Sequence, residues 1–253
     1  MSKASINQIA LTYVVPFYLD NSKFNPLLEL IAIYSRYNPN VLKHIHFVFV
    51  DDHSPIRFII PEDVPLNYTL LRITDDIEWN QGGARNLGVK YAKSDKMVLT
   101  DLDVLFPENL FESLISFEIP KDAIFKFRRY YGLKEVDPHF NVFFLTQDVF
   151  YKSQGVDEAY CGHYGHEDSF FYFLQKALGT KFYIYTYSNV VHREHKHSKF
   201  KNHNSLIRDL TVNDALNEKK LKTLQTAKNP LDARSDLYLN FNWEVLKENQ
   251  FHF

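Results

Sequence analysis

Four groups of acids and imidazoles in this chain have the types and spacing for shared chemistry. Asp101-Leu102-Asp103 closes the apolar run of residues 96–105, KMVLTDLDVL. In extended backbone, residues two apart share a face, so both carboxylates point one way while Leu102 points into the core. Two acids at the end of a buried strand are costly unless neutralised, and a divalent cation is a common neutraliser; a solvated turn is the plainer reading. Asp51-Asp52 ends a second apolar run, HFVFV, and could accept hydrogen bonds from a nucleobase or ribose, or simply shape a turn. Glu167-Asp168 opens a strongly aromatic segment. Acids at a helix start are favoured by the macrodipole. A carboxylate on a cleft wall is also a common way to take the proton from an attacking alcohol, which makes Asp168 a candidate general base with Glu167 as its hydrogen-bonding neighbour. His192, His195 and His197, in the run HREHKH, are spaced to complete a metal site begun by a carboxylate, against the alternative of a solvated basic stretch.

Two further segments bear on anions. The loop Asn80-Gln81-Gly82-Gly83-Ala84-Arg85-Asn86 precedes a helical pattern, so helix N-terminal amides together with Arg85 could receive an anion; otherwise it is a glycine-rich turn. No Lys-Ser/Thr follows Gly88 and no G-x-G-x-x-G is present, which excludes the two familiar phosphate loops. The basic residues beyond His192, namely Lys196, Lys199, Lys201 and Arg208, could cover a diphosphate.

The elements that must position these groups read as an α/β alternation. Residues 9–17, 46–50, 68–73 and 96–105 are strand-like and almost continuously apolar, and residues 25–37 and 81–93 carry helical spacing between them. That order predicts a mixed, mostly parallel central sheet flanked by helices. Ligands in such sheets sit at the carboxyl ends of the strands, which puts Asp51-Asp52 and Asp101-Asp103 on one rim. Downstream, a helix from Pro107 to about residue 116, strands over 123–128 and 140–145, a cap at Thr146, a helix over 167–178, strands over 181–187 and 189–191, a helical tail from about 206 to 224 and a last strand over 237–243 are expected.

The totals bound the class. The chain has 253 residues, 45% of them hydrophobic and 24% charged, which suits one globular domain. A net charge of −2 gives no reason to expect a nucleic-acid partner. Cys161 is the lone cysteine, so no intrachain disulfide forms, as in a reducing compartment. The N-terminal apolar run is short and broken by Pro16 and Asp20, unlike a signal peptide, and no window approaches the roughly eighteen apolar residues of a membrane span. A cytoplasmic protein with no integral membrane segment is expected.

Together and in order, these motifs resemble the nucleotide-sugar glycosyltransferases of the GT-A fold. VVPFYLD, VDDHS, NQGGARNLGVKYAKSD and TDLDV match the donor half of family-two enzymes. FFLTQDVFYKSQGVDEAYCGHYGHEDSFFYFL is similar to the carboxyl-terminal segment shared by β-1,4-galactosyltransferases and chondroitin-polymerase-type enzymes. The resemblance spans roughly residues 9–200. It implies one domain, with a nucleotide-binding half over about 9–105, an acceptor and catalytic half over about 106–200, and an unassigned extension over 201–253.

By this resemblance TDLDV is the family's DxD motif, with Asp103 on the metal (Mn²⁺ or Mg²⁺) and Asp101 near the ribose or the metal's waters. Asp51 and Asp52 fall where relatives hold the uracil, and Gln81, Arg85 and Asn86 belong to the segment lining the nucleotide. Asp168 matches the base of inverting members. Tyr164 stands where the galactosyltransferases carry a tryptophan against the acceptor sugar, and His166 replaces a glycine; both departures bear on the acceptor. The remaining metal ligands are a histidine pair just after a late strand: His192 with His195 fits one spacing, His195 with His197 another, and His192 lies nearest the strand end. The implied partners are a nucleotide-sugar donor, UDP-galactose or a UDP-N-acetylhexosamine among them, and a glycan acceptor. An inactive sugar- or nucleotide-binding relative and a nucleotidyltransferase are the competing readings.

Overall fold

A computed structural model describes residues 9–20, 25–131, 134–193 and 206–253. In chain order its elements are β1 (Leu11–Phe17), α1 (Pro26–Tyr34), α2 (Pro39–Leu42), β2 (Ile45–Asp51), β3 (Asn67–Ile73), α3 (Gln81–Lys90), β4 (Lys96–Leu99), β5 (Val104–Leu105), α4 (Glu108–Ser116), β6 (Ala123–Tyr131), β7 (Lys134–Val136), β8 (Phe143–Thr146), α5 (Gln147–Lys152), α6 (Glu167–Ala177), β9 (Lys181–His192), α7 (Thr211–Thr226) and β10 (Trp243–Asn249).

The strands form one sheet in the order β10-β3-β2-β1-β4-β8-β6-β9-β5, with β7 pairing on β6. Its first half is the expected parallel block: β3, β2, β1 and β4 run together. All of β1, β2 and β3 is buried, which is why these strands read as unbroken apolar runs. The second half is built differently. β8 lies antiparallel to β4 with Phe143 opposite Leu99, and β5 lies antiparallel to β9 with Val104 opposite His192. Each antiparallel pair brings residues distant in sequence back to the carboxyl rim of β4.

Helix α3 can approach the sheet closely because of Gly88. A Cβ there would stand 2.2 Å from Cγ1 of Val14 on β1, so a side chain would push away the helix that carries Arg85. Thr146 caps α5 as expected, its hydroxyl accepting from the amide of Val149. At α6 the N-cap is His166 in the left-handed region, φ 74°, a conformation that glycine adopts most readily. His166 is held there by Asp214 of α7, at 2.6 Å from its Nε2.

Three boundaries differ from the sequence expectation. The strand expected over 96–105 is two, β4 and β5, and Asp101, Leu102 and Asp103 lie in the turn between them, not in extended strand. The strands expected over 181–187 and 189–191 are one strand, β9. The last strand is β10, one step beyond the apolar 237–243 run; that run instead wraps a buried carboxylate, the amides of Leu239 and Asn240 donating to Glu158.

The tail is part of the fold. Asn213 Nδ2 donates to the carbonyls of Tyr160, His163 and Gly165, and Lys220 pairs with buried Asp157 at 2.7 Å. These bonds fix the loop that leads into Glu167 and Asp168. No helix among the described residues is long and apolar enough to cross a membrane.

Candidate active site

Arg85 is the buried hub of the site. Its side chain is 0% exposed, and its guanidinium pairs with Asp101 Oδ1 at 2.7 Å and, through Nη1, with Asp168. Burial opposes the guanidinium's charge, but the flanking Asp168 and Asp101 outweigh it and hold the pKa above its ordinary value. Asp101 is further bound by Gln81 Nε2 at 2.6 Å and by Asn141 Nδ2. Both oxygens of Asp101 are therefore engaged by protein donors. Burial, offset in part by Arg85, still raises its pKa to about 6.

Asp103, in the same turn and the same cleft lining, meets two imidazoles. His139 Nε2 lies 3.6 Å and His192 Nδ1 3.8 Å from its Oδ2, and one ligand atom from each of the three residues falls within 4.8 Å of the others. These separations are too long for hydrogen bonds. They suit ligands of one ion, since two atoms each about 2.0–2.2 Å from a metal are at most about 4.4 Å apart. The His192 Nδ1 is also buried without a hydrogen-bond partner among the described residues, which is unusual for a buried ring nitrogen and suits a metal ligand. One carboxylate and two imidazoles fit a divalent metal.

A cleft of about 280 Å³ opens over these groups, lined among others by Phe17, Tyr18, Asp52, Trp79, Gln81, Asp101, Asp103, His139, Asn141 and Tyr164. The turn between β4 and β5 supplies Asp101 and Asp103, and Asp52 directly follows β2. His139 and Asn141 come from the segment before β8, which the antiparallel pairing delivers to the rim.

Residues 14–182 match the family described as Glycosyl transferase family 2. The chain belongs to that family. It is therefore a glycosyltransferase, and its sheet is that of the GT-A fold. Among solved structures it is similar to S. aureus TarS 1-349 in complex with UDP-GlcNAc, at 10% identity and TM-score 0.60 over 88% of this chain and 69% of that one. A mannosyltransferase from Pyrobaculum calidifontis in complex with GDP-Man and Mn²⁺ matches at 15% identity and TM-score 0.52, covering 89% and 69%. The catalytic domain of Drosophila beta1,4galactosyltransferase 7 in complex with xylobiose matches at 14% identity and TM-score 0.50, covering 88% and 82%. At such identities the likeness is one of fold. No curated protein matches the sequence significantly.

Within this glycosyltransferase the sequence-derived residues separate into three sets. Asp52, Gln81, Asp101, Asp103 and Tyr164 line the cleft, and His192 joins Asp103 beside it. Four residues expected against substrate are placed elsewhere. Asp51 is fully buried, bound to Arg72 and to the amide of Ser54. Asn86 is equally buried and ties α3 to Val156 and Glu158. Arg85 lies beneath the cleft rather than in its lining, and His166 points to α7. A buried amide or charge needs partners, and these side chains found them in the protein. Asp168 reaches the site through Arg85, with Glu167 beside it; burial and the Asp168 charge raise the Glu167 pKa to about 8. His195 and His197 lie outside the described residues.

His139 and Asn141 were missed by sequence reasoning. The available signal was geometric: if β8 is antiparallel to β4, the residues just before it must fall beside the acid pair.

Asp52 gives a pH prediction. Burial, with Asp51 nearby, raises its pKa to about 8 from 3.8. The folded chain thus keeps a proton that the unfolded chain releases, so the associated stability is full below the ordinary carboxylate range and is lost as pH climbs toward 8. Thermal melts in EDTA are expected to show a Tm decline between pH 5 and pH 8.5 that is shallower in Asp52→Asn. Equal slopes would contradict the burial of this carboxyl.

Proposed function

We propose that this glycosyltransferase moves a sugar from a nucleoside-diphosphate sugar to a hydroxyl of a glycan acceptor in one displacement that inverts the anomeric carbon. The observation that carries the reading is the Arg85 bridge, which ties Asp101 of the cleft lining to the candidate base Asp168 through a guanidinium buried beneath the cleft. The UDP-GlcNAc and GDP-Man held by the TarS and mannosyltransferase structures support the donor class. UDP-galactose and UDP-N-acetylhexosamines are the first donors to test, and polysaccharide biosynthesis is the setting such a transfer suits.

Each residue then has a task. Asp168 accepts the proton of the attacking hydroxyl, a contribution of roughly 10²- to 10⁴-fold. Arg85 fixes Asp168 and Asp101 relative to each other and keeps both charges compensated. Asp52 lines the cleft, and its buried Oδ1 has no hydrogen-bond partner among the described residues, which suits the polar edge of a nucleobase. Tyr164 and Trp79, with ring centroids 4.7 Å apart, offer the acceptor an apolar wall. Asp103, His139 and His192 would hold Mn²⁺ or Mg²⁺, and the two imidazoles favour Mn²⁺, because Mg²⁺ prefers oxygen ligands. When bound, the ion offsets charge on the departing diphosphate, where one unit-charge pair at ~4 Å and an effective dielectric of ~20 is worth ~4 kcal/mol.

A panel of nucleotide sugars incubated with the protein and Mn²⁺ is expected to release nucleoside diphosphate from at least one donor, and EDTA to abolish it. Turnover of nucleoside triphosphates without any donor cleavage would overturn the reading. His139→Ala is expected to weaken Mn²⁺ binding by roughly tenfold or more in calorimetry while leaving the melting curve of the metal-free protein near that of the parent. Unchanged Mn²⁺ affinity would remove His139 from the ligand set.

A further inference from the structure

The mechanism above leaves one charged group in the cleft without a task. Arg208 lines the cleft on an exposed stretch of chain. Its guanidinium carbon lies 5.3 Å from the ring centroid of Tyr164 and 6.0 Å from that of Trp79. The second distance is at the outer limit of a cation–π contact, so the rings locate the guanidinium without enclosing it. Among the described residues Arg208 makes no ion pair. Its planar fork of N–H donors is suited to a carboxylate or phosphate met two bonds at a time.

The wall beneath Arg208 is built from three segments stitched together. The Trp79 indole N–H donates to the carbonyl of Ile207 at 2.9 Å, and the amide of Gly162 donates to the carbonyl of Glu78 at 2.8 Å. Tyr164 stands in the loop that runs directly into α6 and Asp168, so this wall belongs to the side of the cleft that carries the base. The rest of the lining includes Asp52, Asp101 and Asp103. Arg208 forms no pair with any of them among the described residues. Asp52 keeps its proton up to about pH 8 and Asp101 is compensated by Arg85, so an anionic ligand can enter this cleft and meet a cation at the aromatic wall.

We propose that Arg208, Trp79 and Tyr164 form a subsite for an anionic acceptor sugar. The pyranose ring packs on the two aromatic side chains, and a carboxylate or phosphate on it pairs with the guanidinium. The inference rests on reading the cleft as a glycosyl-transfer site and adds the charge of the acceptor. It departs from a role for Arg208 in covering the donor diphosphate.

The test uses Trp79 as reporter in a Trp243→Phe background, since the chain has two tryptophans. With UDP and Mn²⁺ present, the protein is titrated with methyl β-D-glucuronide, methyl β-D-glucoside 6-phosphate and neutral methyl β-D-glucoside. At least one anionic glycoside is expected to bind tenfold or more tighter than the neutral one, and the preferred arm identifies carboxylate or phosphate. Arg208→Gln is expected to abolish the preference and Arg208→Lys to keep part of it, with UDP affinity unchanged in both. Equal binding of all three glycosides, or no binding of either anionic one, overturns the proposal. Loss of UDP affinity in Arg208→Gln also overturns it, by placing the residue on the donor. Failure of UDP and Mn²⁺ to bind the parent protein at all would instead count against the glycosyl-transfer reading.

Discussion

Purified Asp168→Asn is expected to lose roughly 10²- to 10⁴-fold in kcat while binding UDP as tightly as the parent protein. Asp168 Oδ1 accepts from Arg85; its other oxygen has no hydrogen-bond partner among the described residues and is the one that the proposed base role would use. An asparagine keeps the shape and an acceptor for Arg85 but cannot hold the proton. Steady-state kinetics with calorimetric UDP titration separates the two effects. Unchanged turnover would refute the base assignment, and a loss of UDP affinity equal to the loss of kcat would make Asp168 a binding residue.

Arg85→Met is expected to have the largest effect on stability. It leaves two carboxylates, Asp101 and Asp168, without the buried cation that compensates them. Breaking a buried pair from one side costs about 3–5 kcal/mol, or roughly 10 °C in Tm for a domain of this length. The deficit should narrow as pH falls toward about 6, because Asp101, at about 6 with Arg85 present, takes up its proton at still higher pH once that cation is gone. Arg85→Lys should fall between, since a single ammonium cannot span both carboxylates as the fork does. A melting temperature within a degree or two of the parent for Arg85→Met would mean that the bridge does not organise the cleft.

What the sequence disclosed follows from where the chain is buried. The parallel block was legible because β1, β2 and β3 are wholly inside, and so was the acidic rim, because the carboxyl ends of parallel strands share one edge. The candidate metal site was half legible. Asp103 and His192 stood out by type and position, but His139 acquires meaning only once β8 is known to run antiparallel to β4, and nothing in its own neighbourhood states that pairing. Asp51, Arg85 and Asn86 were assigned to the nucleotide by resemblance, whereas burial commits them to Arg72, to Asp101 and Asp168, and to the 156–158 turn. Sequence order cannot distinguish a polar residue that faces a ligand from one that props up its neighbour. The last strand escaped detection for a related reason. β10 is an edge strand whose charged residues keep that edge from pairing further, so it lacks the apolar signature that marked the interior.

The most direct test of the account is a crystal grown with UDP and Mn²⁺ and measured at the manganese absorption edge. The account predicts an anomalous peak ligated by Asp103, His139 and His192, with the diphosphate of UDP on the same ion and Asp101 still held by Arg85, Gln81 and Asn141. UDP bound in the cleft with no manganese at these three side chains, or manganese bound elsewhere in the molecule, would contradict it.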